Sequence, residues 1–196
     1  HPLIFSPLKK LDVSAGAGKA IAFALKKDIA VISMHTNWDS SPRGVNAAIA
    51  EAIGLESVSP LVPSLSGAWG LGALGKLPSV MTGRELGQAI RSSLKLSRLD
   101  LYGDPHRPAN RLALCGGSGG SLWSVAIASG ADVFFTSDVK YHERMEALAA
   151  GLILLIGDHG EVESFSLDAL ARVVSEASGF QACIFRSMPG PPVVIG

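Results

Sequence analysis

The feature that most constrains the fold is a regular alternation of short β-rich apolar runs with segments of helical periodicity. Apolar runs at 111–115, 131–135 and 152–156 are separated by helical segments over 121–129 and 140–150. Short apolar runs bounded by turn residues are typical of buried strands, and strands that alternate with helices build parallel or mixed sheets. The sequence therefore predicts an α/β fold with mixed or largely parallel sheets flanked by helices.

The two ends of the chain extend this pattern. Near the start, a helical segment over 14–27 precedes a β-rich run at 29–34, and a helix over 45–53 follows. Near the end, residues 166–177 have the apolar spacing of an amphipathic helix with a buried stripe. We expect 29–34 to be a buried strand and 180–185 to be the last strand.

The segment over 60–75 is rich in proline, serine and glycine, which marks it as the best candidate for a domain boundary. It divides the chain into an N-terminal α/β half at 1–64 and a C-terminal α/β half at 65–196. Just after it, Thr82 and Glu85 have the spacing of a capping box. That spacing predicts a helix running from there to about residue 94.

Composition restricts the classes of partner. Lysine and arginine number 17, and aspartate and glutamate also number 17, with no basic tract, so neither nucleic acid nor a membrane surface has an electrostatic reason to bind. No apolar stretch is long enough to span a bilayer. Cys115 and Cys183 lie far apart, and we expect two buried reduced thiols in a cytoplasmic protein. Because His1 begins the sequence instead of methionine, we also expect the natural chain to continue upstream.

Two histidine–carboxylate pairs follow predicted strands. His159 and Glu163 come just after 152–156, and His35 and Asp39 repeat the same four-residue spacing after 29–34. On a helical turn this spacing places both side chains on one side. Mixed imidazole and carboxylate ligands suit Zn²⁺, Fe²⁺, Mn²⁺ or Ni²⁺, and His1 offers a further imidazole. The pattern indicates a divalent-metal site without choosing the metal.

A glycine-rich loop over 116–120 allows two interpretations. Its Gly-x-Ser-x-Gly spacing between a strand and a helix is that of a nucleophile elbow with Ser118, and Asp138 and His159 follow in the order of a hydrolase triad. Glycines also let a helix pack closely against a sheet or form a nest for an anion. The sequence has no second signal for an oxyanion hole, so packing or anion binding is favoured over a nucleophile.

A succession of motifs along nearly the whole chain resembles one known family, the dinuclear metal-centre family of GTP cyclohydrolase I type 2 homologues. It is also called the NGG-interacting-factor-three-like family. The motifs, in order, are His1-Pro2-Leu3-Ile4-Phe5, His35-Thr36-Asn37-x-Asp39, Cys115-Gly116-Gly117-Ser118-Gly119, Thr136-Ser137-Asp138-Val139-Lys140-Tyr141-His142 and Gly157-x-His159-x-x-x-Glu163.

The resemblance implies a fold of two similar α/β halves with a pair of divalent metal ions held between them, often within a homohexamer. Carried onto this sequence, it makes His1, Asp39, His159 and Glu163 the metal ligands. Asp39 and the bridging Glu163 join His1 on one metal, and His159 binds the other. A preceding histidine of the family's His-His-Pro motif has no counterpart here, and a segment upstream of His1 is expected to complete the first half.

Two hypotheses of function follow from this resemblance. In the leading one, two metals activate water for hydrolysis of a small-molecule substrate, Glu163 bridges the metals, and His35 or His142 shuttles protons or orients a ligand. The substrate is unknown. In the alternative, the protein is a non-catalytic oligomeric metal-binding or regulatory protein, because apolar helices on a neutral chain suit assembly as well as catalysis.

Overall fold

The computed structural model describes residues 2–65, 67 and 69–186, and the chain divides into two compact units. The first, His1–Trp38, contains helix α1 (Gly16–Lys26) and most of the short helix α2 (Thr36–Asp39). The second, Asp39–Gly196, contains the remaining elements. The predicted halves at 1–64 and 65–196 stay a prediction, because these units reflect contacts and not internal similarity.

The second unit contains the helices and strands that build the sheet. Its helices are α3 (Val45–Ile53), α4 (Gly83–Leu94), α5 (Trp123–Ala128), α6 (Tyr141–Ala149), α7 (His159–Ser164) and α8 (Leu167–Ser178), with a 3₁₀ turn at Gly120–Leu122. Its strands are β1 (Glu56–Ser59), β2 (Val62–Pro63), β3 (Gly70–Leu71), β4 (Ala73–Thr82), β5 (Leu99–Tyr102), β6 (Pro108–Leu114), β7 (Val133–Thr136) and β8 (Ile153–Gly157).

The main sheet is mixed, which confirms the predicted α/β class. Its strand order is β1-β4-β6-β7-β8-β5, and β2 pairs with β3 in a separate two-stranded sheet. Strands β6, β7 and β8 run parallel to one another, whereas β1, β4 and β5 pair antiparallel at the two sides. The parallel centre corresponds to the predicted strands at 111–115, 131–135 and 152–156. Since parallel strands end at the same edge, the loops after these three strands meet there.

The core surrounds the parallel strands. Phe134 and Phe135 on β7 and Leu154 and Leu155 on β8 are fully buried. Successive side chains of a strand point to opposite faces, so both faces of the sheet centre must be covered. This explains why these segments are continuously apolar instead of alternating.

The predicted helices at 14–27, 45–53 and 82–94 are confirmed within a few residues as α1, α3 and α4. The capping box is also present: Thr82 Oγ1 accepts a hydrogen bond from the Glu85 amide at 3.2 Å, and Glu85 Oε2 accepts one from the Thr82 amide at 2.8 Å. Each of these bonds satisfies an amide that the first turn of a helix leaves without a partner.

The predicted strand at 29–34 is wrong. This run has no regular structure, and the side chains of Ile29 and Ile32 are 50% and 83% exposed. A strand needs a neighbour to pair its amides and carbonyls, and none of the described strands pairs with this run. Apolar composition alone predicted the strand, but composition does not supply the partner.

The predicted last strand at 180–185 is wrong as well. The chain turns back after α8, and the Ala182 amide donates to Ser175 Oγ at 2.9 Å instead of entering a sheet ladder. Cys183, predicted to be buried there, is exposed, whereas Cys115 is buried as predicted. Helix α8 forms, but none of its side chains is buried, so its apolar stripe is only partly covered.

Strand β4 is the largest element that the sequence pattern does not reveal. It pairs antiparallel with β6, from Leu74 opposite Ala113 to Thr82 opposite Pro108, with a register shift between Lys76 and Met81. The shift interrupts the alternation of side chains that identifies a strand.

Among the helices of the described residues, none is long and apolar enough to cross a membrane.

Candidate metal centre

The carboxyl ends of β6, β7 and β8 bring three polar segments to one edge of the sheet. The glycine-rich loop over 116–120 follows β6, Asp138 follows β7, and Asp158 and His159 follow β8. Ligands and catalytic groups of open α/β sheets collect at this edge because the loops there are close together and not required for the core. The edge is therefore the candidate site.

Helix α7 positions the histidine and the glutamate predicted as ligands. Asp158 caps the helix, with its Oδ1 accepting a hydrogen bond from the Glu161 amide at 3.0 Å. His159 is thus in the first turn, and Glu163 lies one turn further on the same side. Their side chains meet: His159 Nε2 is 2.9 Å from Glu163 Oε1. The helical turn on which this pairing depends is present.

A second carboxylate holds the other side of the same imidazole. His159 Nδ1 is 2.6 Å from Asp138 Oδ2. Burial alone lowers the pKa of His159, but hydrogen bonds and charge from Asp138 and Glu163 outweigh it, so the net pKa is raised above 6.5. Ionised carboxylates only accept hydrogen bonds, so a proton on each ring nitrogen lets the imidazole donate to both of them. The contacts at the two ring nitrogens are thus the cause of the raised pKa of His159.

The same contacts disfavour the serine-hydrolase interpretation. In a triad, one ring nitrogen contacts an aspartate and the other takes the proton of the serine. Here Nε2 of His159, the nitrogen that would serve Ser118, contacts Glu163 at 2.9 Å. The Ser118 side chain is exposed at the tip of the loop.

The loop has glycines because neighbouring atoms lie too close to its backbone to leave room for side chains. A Cβ on Gly116 would lie 2.6 Å from Val45 Cγ1, and one on Gly119 would lie 2.6 Å from the Cβ of Cys115. Gly117 has φ +73° and sits against the site itself, because a Cβ there would lie 2.7 Å from Glu163 Oε1. This supports the packing interpretation of the loop over the nucleophile elbow.

Thr136 at the end of β7 holds the glycine-rich loop in place by hydrogen bonds. Its buried Oγ1 accepts a hydrogen bond from the Gly119 amide at 3.1 Å and donates one to the Gly117 carbonyl at 3.3 Å. The Ser137 amide donates to the same carbonyl at 3.1 Å. The loop is therefore held by the strand that carries Asp138.

Asn46 connects the Asp39 segment to this loop, and sequence reasoning did not single it out. The side chain is fully buried; Nδ2 donates to the Asp39 carbonyl at 3.0 Å, and Oδ1 accepts from the Gly116 amide at 2.8 Å. The sequence signal for this role was a side-chain amide on the otherwise apolar buried face of α3.

Asp39 lies near the same loop. Burial raises the pKa of the Cys115 thiol to about 12, and the charge of Asp39 adds to the rise, which places Asp39 near the loop.

The other predicted site residues lie elsewhere or outside the described ranges. His1 is outside the described residues. His35 belongs to the first unit, where its Nδ1 is 3.2 Å from Thr36 Oγ1, and His142 is exposed on α6. Within the described residues, no three or more histidine, cysteine, aspartate or glutamate side chains are grouped to hold a metal ion. Asp138, which the sequence did not predict as a metal ligand, directly contacts the predicted ligand His159.

The donor set nevertheless fits a divalent metal. His159 Nε2 and Glu163 Oε1 face each other across one shared proton, at a position where a cation would interact with both. Metal-bound histidines usually donate their other ring N–H to a carboxylate, which is the arrangement of Nδ1 and Asp138 here. A cation that replaces the Nε2 proton would leave this second contact intact.

The fold and this cluster define an α/β protein with a histidine–carboxylate site at the carboxyl ends of parallel strands. Residues 1–191 match the Duf34/NIF3 (NGG1p interacting factor 3) family, and the chain belongs to that family. The family that the sequence motifs resemble is therefore confirmed.

Relatives and solved structures agree with this assignment. A GTP cyclohydrolase 1 type 2 homolog of Nostoc sp. is 34% identical over 87% of this chain and 65% of its own length. The homolog of Streptococcus pneumoniae is 32% identical over 90% of this chain and 67% of its own length. A Bacillus cereus protein related to NIF3 has the same fold, with a TM-score of 0.86 at 21% identity over 100% of this chain and 81% of its own. The chain thus spans about two thirds of the curated relatives it matches.

Replacing Asn46 tests its role as the connection between the Asp39 segment and the glycine loop. Asn46→Ala leaves the Gly116 amide and the Asp39 carbonyl without their partner, so we expect the free energy of unfolding to fall by about 2 kcal/mol. Urea unfolding measures this. The control is Asn110→Ala on β6, an exposed asparagine expected to change stability by less than about 0.5 kcal/mol. Equal stability of the two variants would contradict the assigned role.

The raised pKa of His159 predicts how stability depends on pH in the metal-free protein. The ion pair with Asp138 stabilises fully below the unfolded pKa of 6.5 and is lost as pH rises through the higher folded pKa. We expect Asp138→Asn to destabilise the protein more at pH 6 than at pH 9, because the imidazolium–carboxylate pair of the wild type is lost as pH rises through the folded pKa of His159. Unfolding curves at both values measure this, and a pH-independent difference would argue against the charged pair.

Proposed function

We propose that this protein binds a pair of divalent metal ions at the edge formed by β6, β7 and β8. The single observation that carries the proposal is the His159 side chain between Asp138 and Glu163, with Nε2 at 2.9 Å from Glu163 Oε1. We assign Glu163 as the bridging ligand and Asp39 and His159 as terminal ligands. His1 joins them by its place in the family motif. Asp138 orients His159 through the other ring nitrogen, Nδ1.

The mixed imidazole and carboxylate ligands favour Zn²⁺, Fe²⁺, Mn²⁺ or Ni²⁺ over the hard cations that prefer oxygen alone. Bound divalent cations supply Lewis acidity and lower the pKa of water, which hydrolysis requires. We therefore propose a metal-dependent hydrolase of cyclohydrolase-like type. The relatives named GTP cyclohydrolase 1 type 2 homolog support this class, while the substrate of this chain is a separate proposal.

The residues around the metals have distinct proposed tasks. Asp138 fixes the tautomer of His159 through Nδ1, so that Nε2 is presented to the metal. The glycine loop lets the carboxylate of Glu163 approach the backbone, because Gly117 has no side chain to displace it. We assign His35 or His142 as the group that moves a proton to or from the solvent.

We propose in addition a homo-oligomer, a hexamer by resemblance to the family, in the cytoplasm. Large apolar side chains stay exposed in the described residues, among them Phe5, Leu25 and Phe185 at 73%, 77% and 89%. Exposed apolar surface of this kind favours association with further copies. Light scattering of the purified protein measures the mass of the assembly, and a monomer would contradict the proposal.

Elemental analysis of purified protein tests the metal centre directly. We expect transition metal in the wild type and its loss in Glu163→Gln, because the neutral amide cannot bridge two cations. The matched control is Glu161→Gln on the same helix, whose carboxylate instead accepts a hydrogen bond from the Ser97 amide at 2.8 Å. The control is expected to keep its metal. Wild type without metal, or equal metal in both variants, would refute the proposal.

Activity separates the hydrolase from a non-catalytic metal-binding protein. A panel of phosphoesters, cyclic amidines and peptides is to be incubated with metal-loaded wild type and with Glu163→Gln. Turnover that requires both metal and Glu163 supports the hydrolase. Stoichiometric metal without turnover on any class leaves metal binding intact and favours the regulatory alternative.

A further inference from the structure

A groove of about 370 Å³ lies between α4 and β5, which we call the α4–β5 groove. Among the described strands, β5 pairs only with β8, so it is the last strand on its side of the main sheet. No residue that lines the groove belongs to the cluster of Asp138, His159 and Glu163. Small-molecule sites span a few hundred to about a thousand cubic ångströms. The groove is therefore separate from the proposed metal centre and large enough for a ligand of its own.

One wall of the groove is a polar stripe on α4. Arg84, Gln88 and Arg91 line the groove from positions that lie on one face of a helix. All three residues are exposed. The two arginines are two helical turns apart, about 10.5 Å along the helix axis. This wall thus presents two separate positive charges with a side-chain amide between them.

The floor of the groove is apolar. Leu99 and Leu101 lie two residues apart on β5, so they point to the same face of the sheet, and Pro105 adds apolar surface. These three residues are half-buried. Gly87 lets the helix approach the sheet, since a Cβ there would lie 3.3 Å from Leu155 Cδ2. Half-buried apolar surface in a concave site favours the apolar part of a ligand.

No carboxylate offsets the two charges on the wall. Within the described part of the chain, neither Arg84 nor Arg91 forms an ion pair. None of the described residues that line the groove is acidic. Carboxylates on the neighbouring segments instead bind groups outside the lining: Asp100 binds Arg98, Glu85 the Thr82 amide, Asp104 the His106 amide and Glu161 the Ser97 amide. An anion in the groove would therefore meet guanidinium groups without displacing a carboxylate.

Arg91 is also held in position. Its Nε donates to the Leu96 carbonyl at 3.3 Å, and its Nη2 donates to the Ser97 carbonyl at 3.2 Å. Carbonyl oxygens are uncharged, so the guanidinium keeps its charge, and its other N–H donors remain available. Both carbonyls lie beyond the end of α4, whereas Arg84 is in the first turn. A guanidinium that is already held loses less conformational entropy when it binds an anion.

We infer that the α4–β5 groove binds a small molecule with two anionic groups joined by an apolar body. Arg84 and Arg91 each bind one anionic group, and the separation of these arginines along α4 sets the distance between the two groups. Leu99 and Leu101 contact the apolar body. The site shares no residue with the proposed metal centre, so the two can be tested independently.

Calorimetric titration with octanedioate tests the inference, with octanoate and butanedioate for comparison. We expect octanedioate to bind wild type about tenfold more tightly than octanoate, because its second carboxylate adds a charged hydrogen bond. It should also bind more tightly than butanedioate, whose carboxylates are too close together to reach both arginines. Absence of octanedioate binding, or equal affinity for octanedioate and either of the other acids, overturns the inference.

Arg84→Gln removes one of the two contacts. We expect it to bind octanedioate about tenfold more weakly than wild type, at the level of octanoate. The matched control is Arg172→Gln on α8, which removes the same charge from an exposed position outside the groove and is expected to bind like wild type. Unchanged binding by Arg84→Gln, or an equal loss in the control, overturns the role of Arg84.

Arg91→Gln removes the other charge together with two hydrogen bonds to carbonyls. We therefore expect a lower melting temperature as well as loss of the preference for octanedioate over octanoate. The ratio of the two affinities separates these effects, because destabilisation weakens the binding of both acids alike. A ratio equal to that of wild type overturns the two-point contact.

Guanidinium groups bind both carboxylates and phosphates, and titration with the bisphosphate of hexanediol distinguishes the two kinds of anionic group. Tighter binding of the bisphosphate than of octanedioate assigns phosphates to the natural ligand, and the opposite order assigns carboxylates. Either order supports a ligand with two anionic groups. Failure of both compounds to respond to Arg84→Gln overturns the inference.

Discussion

The site depends on a short length of backbone without side chains. At the carboxyl end of β6, the chain passes between α3 on one side and the carboxylate of Glu163 on the other, and Gly116 and Gly117 are the residues at the two contacts. Any Cβ there would displace Val45 or Glu163. Because the backbone can come this close, its amide at Gly116 reaches the buried side chain of Asn46. Because of these glycines, α3, β7 and α7 can all contact the end of β6.

Electrostatic contacts of His159 add to the packing of the glycine loop at this site. Helix α7 is attached to the end of β7 through one imidazole that contacts carboxylates from both elements. In the metal-free protein these contacts raise the pKa of His159, and a metal would compete with a proton at Nε2. One side chain therefore joins two elements that are distant in the sequence.

Local patterns in the sequence predict the parts of this structure that local forces decide. The helix at Gly83–Leu94 follows from its capping box, and the parallel centre follows from continuous apolar runs that only a doubly covered sheet can bury. The pairing of His159 with Glu163 follows from helical spacing. Local sequence patterns do not show which distant segments pair or pack together. The run at 29–34 has the composition of a strand, but none of the described strands pairs with it. Strand β4 is a strand because β1 and β6 lie on either side and pair with it. Asn46 and Ser137 are ordinary polar residues until the fold buries them.

Asp138 contacts His159 and also lines a cavity of about 550 Å³ that opens beside it. A residue shared by two sites joins their equilibria. A molecule in the cavity that donated a hydrogen bond to this carboxylate would weaken its contact with the imidazole, and would so change the affinity of Nε2 for a ligand of its own. Thermodynamic reciprocity then requires the occupant of Nε2 to change the affinity of the cavity by the same factor. The two sites would therefore report each other's occupancy without any movement of the sheet.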